Sequence, residues 1–97
     1  MTLTLAEYQE KAKATDQRAP DDEQGLVIAL LGLVGEAGSL LTEYKKRLRD
    51  GEAHQGFFAQ VGEELGDLLW YLATIATRCG LTLEDIEIGR ASCRERV

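Results

Sequence analysis

The chain has 97 residues, 44% of them hydrophobic and 29% charged, with a formal net charge of −6. That length holds one domain at most, and the acidic balance argues against a sequence-independent grip on nucleic acid, which needs cations against phosphates. The opening "MTLTLAEYQEK" lacks the basic stretch and apolar core of a secretory signal, and no apolar run is read as approaching the roughly 20 residues of a bilayer span. A cytoplasmic protein with neither nucleic acid nor membrane as partner is therefore expected.

The first helix is predicted over about 5–18. Thr4 and Glu7 have the spacing of a capping box, and Leu5, Tyr8 and Ala12 share one stripe. "RAPDD" ends it, because Pro20 disfavours helical backbone at the preceding residue, and Asp21 or Asp22 is placed to cap the next helix. The second helix is predicted over about 23–49, with Leu26, Leu30, Leu33, Ala37, Leu41, Tyr44 and Leu48 as its apolar stripe. Gly32, Gly35 and Gly38 lie inside it, each costing about 1 kcal/mol relative to alanine. Glycines three apart predict close approach of another helix rather than a phosphate loop, which needs free backbone N–H groups.

"RDGEAHQG" reads as a loop, with Gly51 suited to end the helix and His54 as a surface residue. The third helix is predicted over about 57–78 and stops at Gly80. Thr82 with Asp85 opens a fourth in "TLEDI". No segment alternates long enough for a strand. The expected fold class is all-α, an antiparallel bundle of about four helices. Oligomerisation would complete it, since so short a helical chain buries a limited core alone.

The ending changes character. Residues 88–97, "IGRASCRERV", resemble the in-frame translation of a DNA sequencing adapter. The expected organisation is thus a helical domain over 1–87 and a non-native tail over 88–97. Without the tail the chain is more acidic still and keeps one cysteine, Cys79, which reads as a small apolar residue at a helix end. Cys79 and Cys93 make neither a metal-binding spacing nor a disulfide framework.

The third helix raises the chemical question. At about 100° per residue, Phe57, Val61, Leu65, Leu68, Leu69, Leu72, Ile75 and Ala76 gather on one face. Glu64 stands one turn from both Val61 and Leu68, with Asp67 at the edge of the same face. An unpaired ionised carboxylate is very costly to bury, so Glu64 needs a cation, a metal or a proton. The second helix repeats the pattern: Glu36 lies beside Leu33 and Leu40, and Glu43 projects in nearly the same direction. If the two helices pack antiparallel, Glu36 approaches Glu64 and Asp67. Converging carboxylates suit Mg²⁺ or Mn²⁺, which take hard oxygen ligands. Salt bridges from Lys45, Lys46, Arg47 or Arg49 would neutralise the same groups without metal.

"GLVGEAGSLLTEYKKRLRDG" followed by "GEELGDLLWYLATIA" resembles the MazG-like all-α nucleoside triphosphate pyrophosphohydrolases, over about residues 5–86. The family pattern is EExxE, a spacer, then ExxD. Glu64 and Asp67 match the second element. In the first, Gly35 stands at the leading Glu, Glu36 matches the next, and Ser39 replaces the last. The resemblance implies hydrolysis of an NTP or dNTP to the monophosphate and pyrophosphate, with Mg²⁺ (Mn²⁺ as a substitute) held by Glu36, Glu64, Asp67 and Glu43. Glu36, Glu64 and Asp67 would be catalytic through that metal, with Glu63 as a further candidate to compensate for Ser39. It also implies a homodimer or homotetramer built from helical bundles across the interface.

Lys46 and Lys45 are candidates for triphosphate oxygens, and Tyr71 for stacking on a base or for packing. Trp70 points away from the carboxylates, toward a subunit contact. In the family a further helix usually supplies an Asn, a Lys and an Arg to the substrate, and the tail stands in its place. The alternative is a catalytically impaired helical module that only associates or binds nucleotides.

Overall fold

The computed structural model describes residues 2–19, 21–51 and 56–89. Four helices make up the architecture of the described residues: α1 (Leu5–Thr15), α2 (Glu23–Asp50), α3 (Phe57–Arg78) and α4 (Leu83–Ile88). They form an all-helical bundle. Pro20, the His54 loop and 90–97, which hold the breaker, the surface histidine and most of the suspected tail, lie outside the described residues. Ile88 and Gly89 end α4.

The helix starts follow the caps read from the sequence. Thr4 Oγ1 accepts from the Glu7 N–H while the Glu7 carboxylate accepts from the Thr4 N–H, a complete capping box. Asp22 caps α2 through the Gln24 N–H, and Thr82 caps α4 through the Asp85 N–H. Gly51 and Gly89 end α2 and α4 with positive φ, which glycine adopts without strain.

α1 stops at Thr15, three residues before its predicted end, and a buried cation explains why. The Arg78 side chain, at the end of α3, is only 3% exposed. It donates to both carboxylate oxygens of Asp16 at 2.9 and 3.0 Å and to the carbonyls of Ala19 (2.8 Å), Asp22 (3.3 Å) and Arg18 (3.3 Å). The α1–α2 connection is wrapped around this guanidinium and cannot continue as helix. Arg18 in turn pairs with Asp22 at 2.7 Å, which holds the Asp22 carboxyl below its usual range.

α2 and α3 run antiparallel. Gly25 meets Arg78, Gly32 meets Tyr71, and Arg47 lies over Phe57. The contact differs from the predicted α2 stripe. Leu30, Leu41, Tyr44 and Leu48 are exposed, and the face turned to α3 carries Gly25, Ala29, Gly32, Glu36 and Leu40. α2 is apolar almost all round, so periodicity does not choose its inner face; small residues do, by letting α3 come close. A Cβ at Gly32 would overlap the Tyr71 ring, whereas Gly35 and Gly38 face open space. The glycine series therefore acts as a packing device at Gly32 and not at the other two positions.

The core lies between α1, α3 and α4: Ala12, Ala73, Ala76 and Leu83, with Leu5, Tyr8 and Trp70 packed around them. Trp70 is thus engaged within the chain, donating to Thr15 Oγ1 at 2.7 Å. Gln9 is buried and fixes α4, giving its Nε2 to Thr77 Oγ1 and the Leu81 carbonyl (2.9 Å each) and accepting from the Leu83 N–H at 2.8 Å. By length and composition alone, α2 is long and apolar enough to cross a membrane. Counting uninterrupted apolar runs misses this, because Glu36 and the glycines break the run.

Removing one partner of a buried, hydrogen-bonded ion pair strands the other. Arg78→Ala is expected to lower the unfolding free energy by about 3–5 kcal/mol, read from the midpoint of a urea titration. Arg78→Lys should recover only part of it, since an ammonium lacks the planar fork that binds Asp16.

Candidate metal centre

Three carboxylates converge where the middle of α2 crosses α3. Glu36, Glu64 and Asp67 each offer an oxygen, and these oxygens lie within 4.8 Å of one another. Glu36 and Glu64 are half-buried and Asp67 is exposed. The positions follow from helix geometry: Glu64 and Asp67 are three apart on α3 and share a face, and α2 delivers Glu36 opposite them. The Oε2 of Glu64 is buried without a hydrogen-bond partner. Left ionised, such an atom carries its full desolvation cost.

No lysine or arginine among the described residues ion-pairs with the three. Lys46 pairs with Glu43 at 3.3 Å, Arg49 pairs with Asp50 at 2.8 Å, and Arg47 lies over the Phe57 and Phe58 rings at 4.9 and 5.2 Å from their centroids. The salt bridges that would have neutralised the cluster are made elsewhere. Repulsion shows in the electrostatics: the Glu36 carboxyl is raised above its ordinary value, first by burial, then by the charges of Asp67 and Glu64, and last by hydrogen bonding of its protonated form to both.

The donor set fits a hard divalent cation. It consists of carboxylate oxygens gathered at the helix contact, one of them buried and unpartnered. Three of the four residues proposed as ligands come together. Glu43 does not join them: it sits seven residues along α2, about 10.5 Å of rise from Glu36, and its carboxylate holds Lys46. Ser39, Glu63 and Lys45 are exposed. Tyr71 is one turn beyond Asp67, and its ring packs on Gly32 and edge-on to Trp70 at 5.2 Å. It serves packing in this arrangement.

The structure adds Tyr8 to the site's surroundings. Its phenol is raised by burial and then by the Asp67 charge, which brings α1 within electrostatic reach of the cluster. The sequence marks Tyr8 only as part of the α1 stripe, and nothing in its spacing points to Asp67.

Over 68 residues the chain is 38% identical to "Gene 37 protein" of Mycobacterium phage L5, an alignment covering 68% of this chain. The chain spans 60% of that phage protein's length. No protein-family model and no solved structure matches the chain.

Because the folded value of Glu36 is raised, folding takes up a proton there. That contribution to stability is complete below the unfolded value and is lost as pH rises through the folded one. In EDTA, the melting temperature is expected to fall as pH rises from about 4.5 toward 7, and Glu36→Gln to flatten the decline. Glu7 and Asp22, whose carboxyls are held below their usual range, act in the opposite sense at more acid pH. A melting temperature equally steep in the variant would remove Glu36 as the cause.

Proposed function

We propose that this chain is a metal-dependent nucleoside triphosphate pyrophosphohydrolase of the MazG-like all-α class, releasing pyrophosphate and leaving the monophosphate. The observation that carries the reading is the cluster itself: three carboxylates from two helices, no cation paired with them, and a buried Glu64 oxygen without a partner. The retained ExxD spacing of Glu64 and Asp67 supports it. A purely structural module would be expected to neutralise such a cluster with its own lysines and arginines.

Glu36, Glu64 and Asp67 would hold Mg²⁺, or Mn²⁺ in its place. The bound cation supplies neutralisation of phosphate charge and a water of lowered pKa. The protein's part is to fix three oxygens at the helix contact and to keep Glu64 shielded from bulk solvent. Lys46, about 15 Å of rise along α2 from Glu36 and paired with Glu43 at 3.3 Å, is not brought to the cluster, and the reading assigns it no triphosphate contact. The reading calls for no covalent intermediate. Nucleoside triphosphates are cytoplasmic solutes, which sets the proposed location.

The working form is proposed to be a homodimer or homotetramer. Its support is apolar surface left open on both long helices: Leu31 and Val34 are 67% and 69% exposed, and Leu30, Leu65, Leu69 and Leu72 are exposed with them. Contiguous apolar surface of this kind marks association sites.

Pyrophosphate release from a panel of NTPs and dNTPs, with Mg²⁺ or Mn²⁺, tests the reaction. Glu64→Gln is expected to lower release by more than about a hundredfold, the cost that residues merely supporting a metal ligand can reach. Its melting temperature should no longer rise when Mg²⁺ is added. Release from no nucleotide would leave a helical module that associates or binds nucleotides.

The oligomer has its own test. Leu30→Glu with Leu69→Glu should convert the assembly to monomers in light scattering, each buried charge costing several kcal/mol against about 1.5–3 kcal/mol gained from a buried leucine. A wild-type chain that already runs as a monomer would remove the assembly.

A further inference from the structure

The acidic cluster accounts for the phosphates of a nucleotide and leaves its base unassigned. Tyr71, one turn beyond Asp67 along α3, is engaged with Gly32 and Trp70. On the other side of the cluster, toward the end of α2 and the start of α3, lies an open cavity of about 370 Å³. Its lining is Ala37, Leu40, Leu41, Tyr44, Phe57 and Val61.

We propose that this cavity receives the nucleobase of the triphosphate whose phosphates the carboxylate cluster holds; the proposal rests on the pyrophosphohydrolase reading above. Continuity with the cluster argues for this occupant. Ala37 follows Glu36, Leu40 is one turn on from Glu36, and Val61 is one turn before Glu64. Because α2 and α3 run antiparallel, those three positions converge on the same side of the carboxylates. The far wall, Tyr44 and Phe57, is one to two further turns away, about 5–11 Å, a gap that a ribose bridges. The volume falls at the small end of the roughly 300–1,000 Å³ common for ligand pockets.

The lining also fixes the kind of recognition. Tyr44 is 51% exposed and offers a ring face to a planar ligand. Phe57 is half-buried beneath the Arg47 guanidinium, 4.9 Å from the ring centroid, which braces the ring and puts a cation at the rim. Apart from the Tyr44 hydroxyl, the six lining side chains carry no hydrogen-bonding group. The base would therefore be chosen by stacking area and not by its pattern of donors and acceptors. Sites of that kind discriminate weakly, whereas a site that hydrogen-bonds its ligand rejects analogues strongly. The cavity fits a site of broad base preference, with purine triphosphates favoured over pyrimidines by their larger ring.

Photolabelling of the full chain with 8-azido-ATP in the presence of Mg²⁺, with the modified peptide mapped by mass spectrometry, tests this without using turnover. Label is expected within 37–44 or 57–61, competed by ATP. Tyr44→Ala should raise KM for ATP about tenfold, the worth of one base–aromatic stack. Ala37→Phe, which fills the cavity from an exposed helix position, should block labelling while Mg²⁺ still raises the melting temperature, the sign that the variant is folded and its cluster intact. Pyrophosphate release combined with label elsewhere, near Gly32 and Tyr71 for instance, would overturn the cavity and leave the reaction standing. Label in the cavity without pyrophosphate release would support the cavity as a nucleoside site and sink the reaction. No specific label, or a Tyr44→Ala chain that changes oligomeric state with KM unmoved, would assign this surface to a second copy and overturn the proposal.

Discussion

The contact of α2 with α3 sets Glu36 against Glu64 and Asp67, and the rest of the fold has to hold that repulsion in place. Like charges this close favour separation of the helices or uptake of a proton, and the Glu36 carboxyl is raised, first by its burial and then by the charges of Asp67 and Glu64. Separation is resisted from both ends of the pair. At one end Arg78, seated over Gly25, ties α3 to the α1–α2 connection through Asp16 and three carbonyls. At the other, Arg47 of α2 lies over the Phe57 and Phe58 rings of α3. Between them the Tyr71 ring fits the space that Gly32 leaves open. Carboxylates held together by packing on each side are an arrangement whose electrostatic strain an added cation would relieve.

The helices were legible in the sequence because their signals are local. The capping box at Thr4 and Glu7, the Asp22 and Thr82 caps, and glycine at Gly51 act within one turn, and α3 has the bounds its periodicity predicts. α1 was overestimated because its end is set by Arg78, more than sixty positions away. The direction in which Glu36, Glu64 and Asp67 point was legible for the same reason, since it needs only the helical period.

What a period cannot give is the inner face of a helix apolar all round, nor the axial register between two helices. Leu41 and Tyr44 were read as buried and are exposed, and Gly25, Ala29 and Gly32 form the contact. Glu43 shares a direction with Glu36 but lies two turns along, and direction alone did not separate a ligand from a partner for Lys46. Trp70 was correctly directed away from the carboxylates, but the element waiting there is α1, whose Thr15 hydroxyl accepts its indole N–H. Buried arginines and glutamines such as Arg78 and Gln9 leave no trace in an apolar pattern, although they decide how α1 and α4 attach.

The thinned first motif element can be weighed in the same physical terms. Gly35 and Ser39 stand where the resembling family carries carboxylates, and neither joins the cluster. A Mg²⁺ ion asks for near-octahedral oxygen coordination and commonly takes only one or two protein carboxylates, leaving its other positions to water and substrate phosphates. Three carboxylates already exceed that minimum. Two more would add like charge to a site where Glu36 is driven toward protonation by burial and by the two carboxylates it faces. With glycine and serine at those positions, the contact carries less repulsion than carboxylates there would bring. The balance between holding a cation and tolerating its absence is set by how many carboxylates the α2–α3 contact can keep together, and in this chain three are brought together.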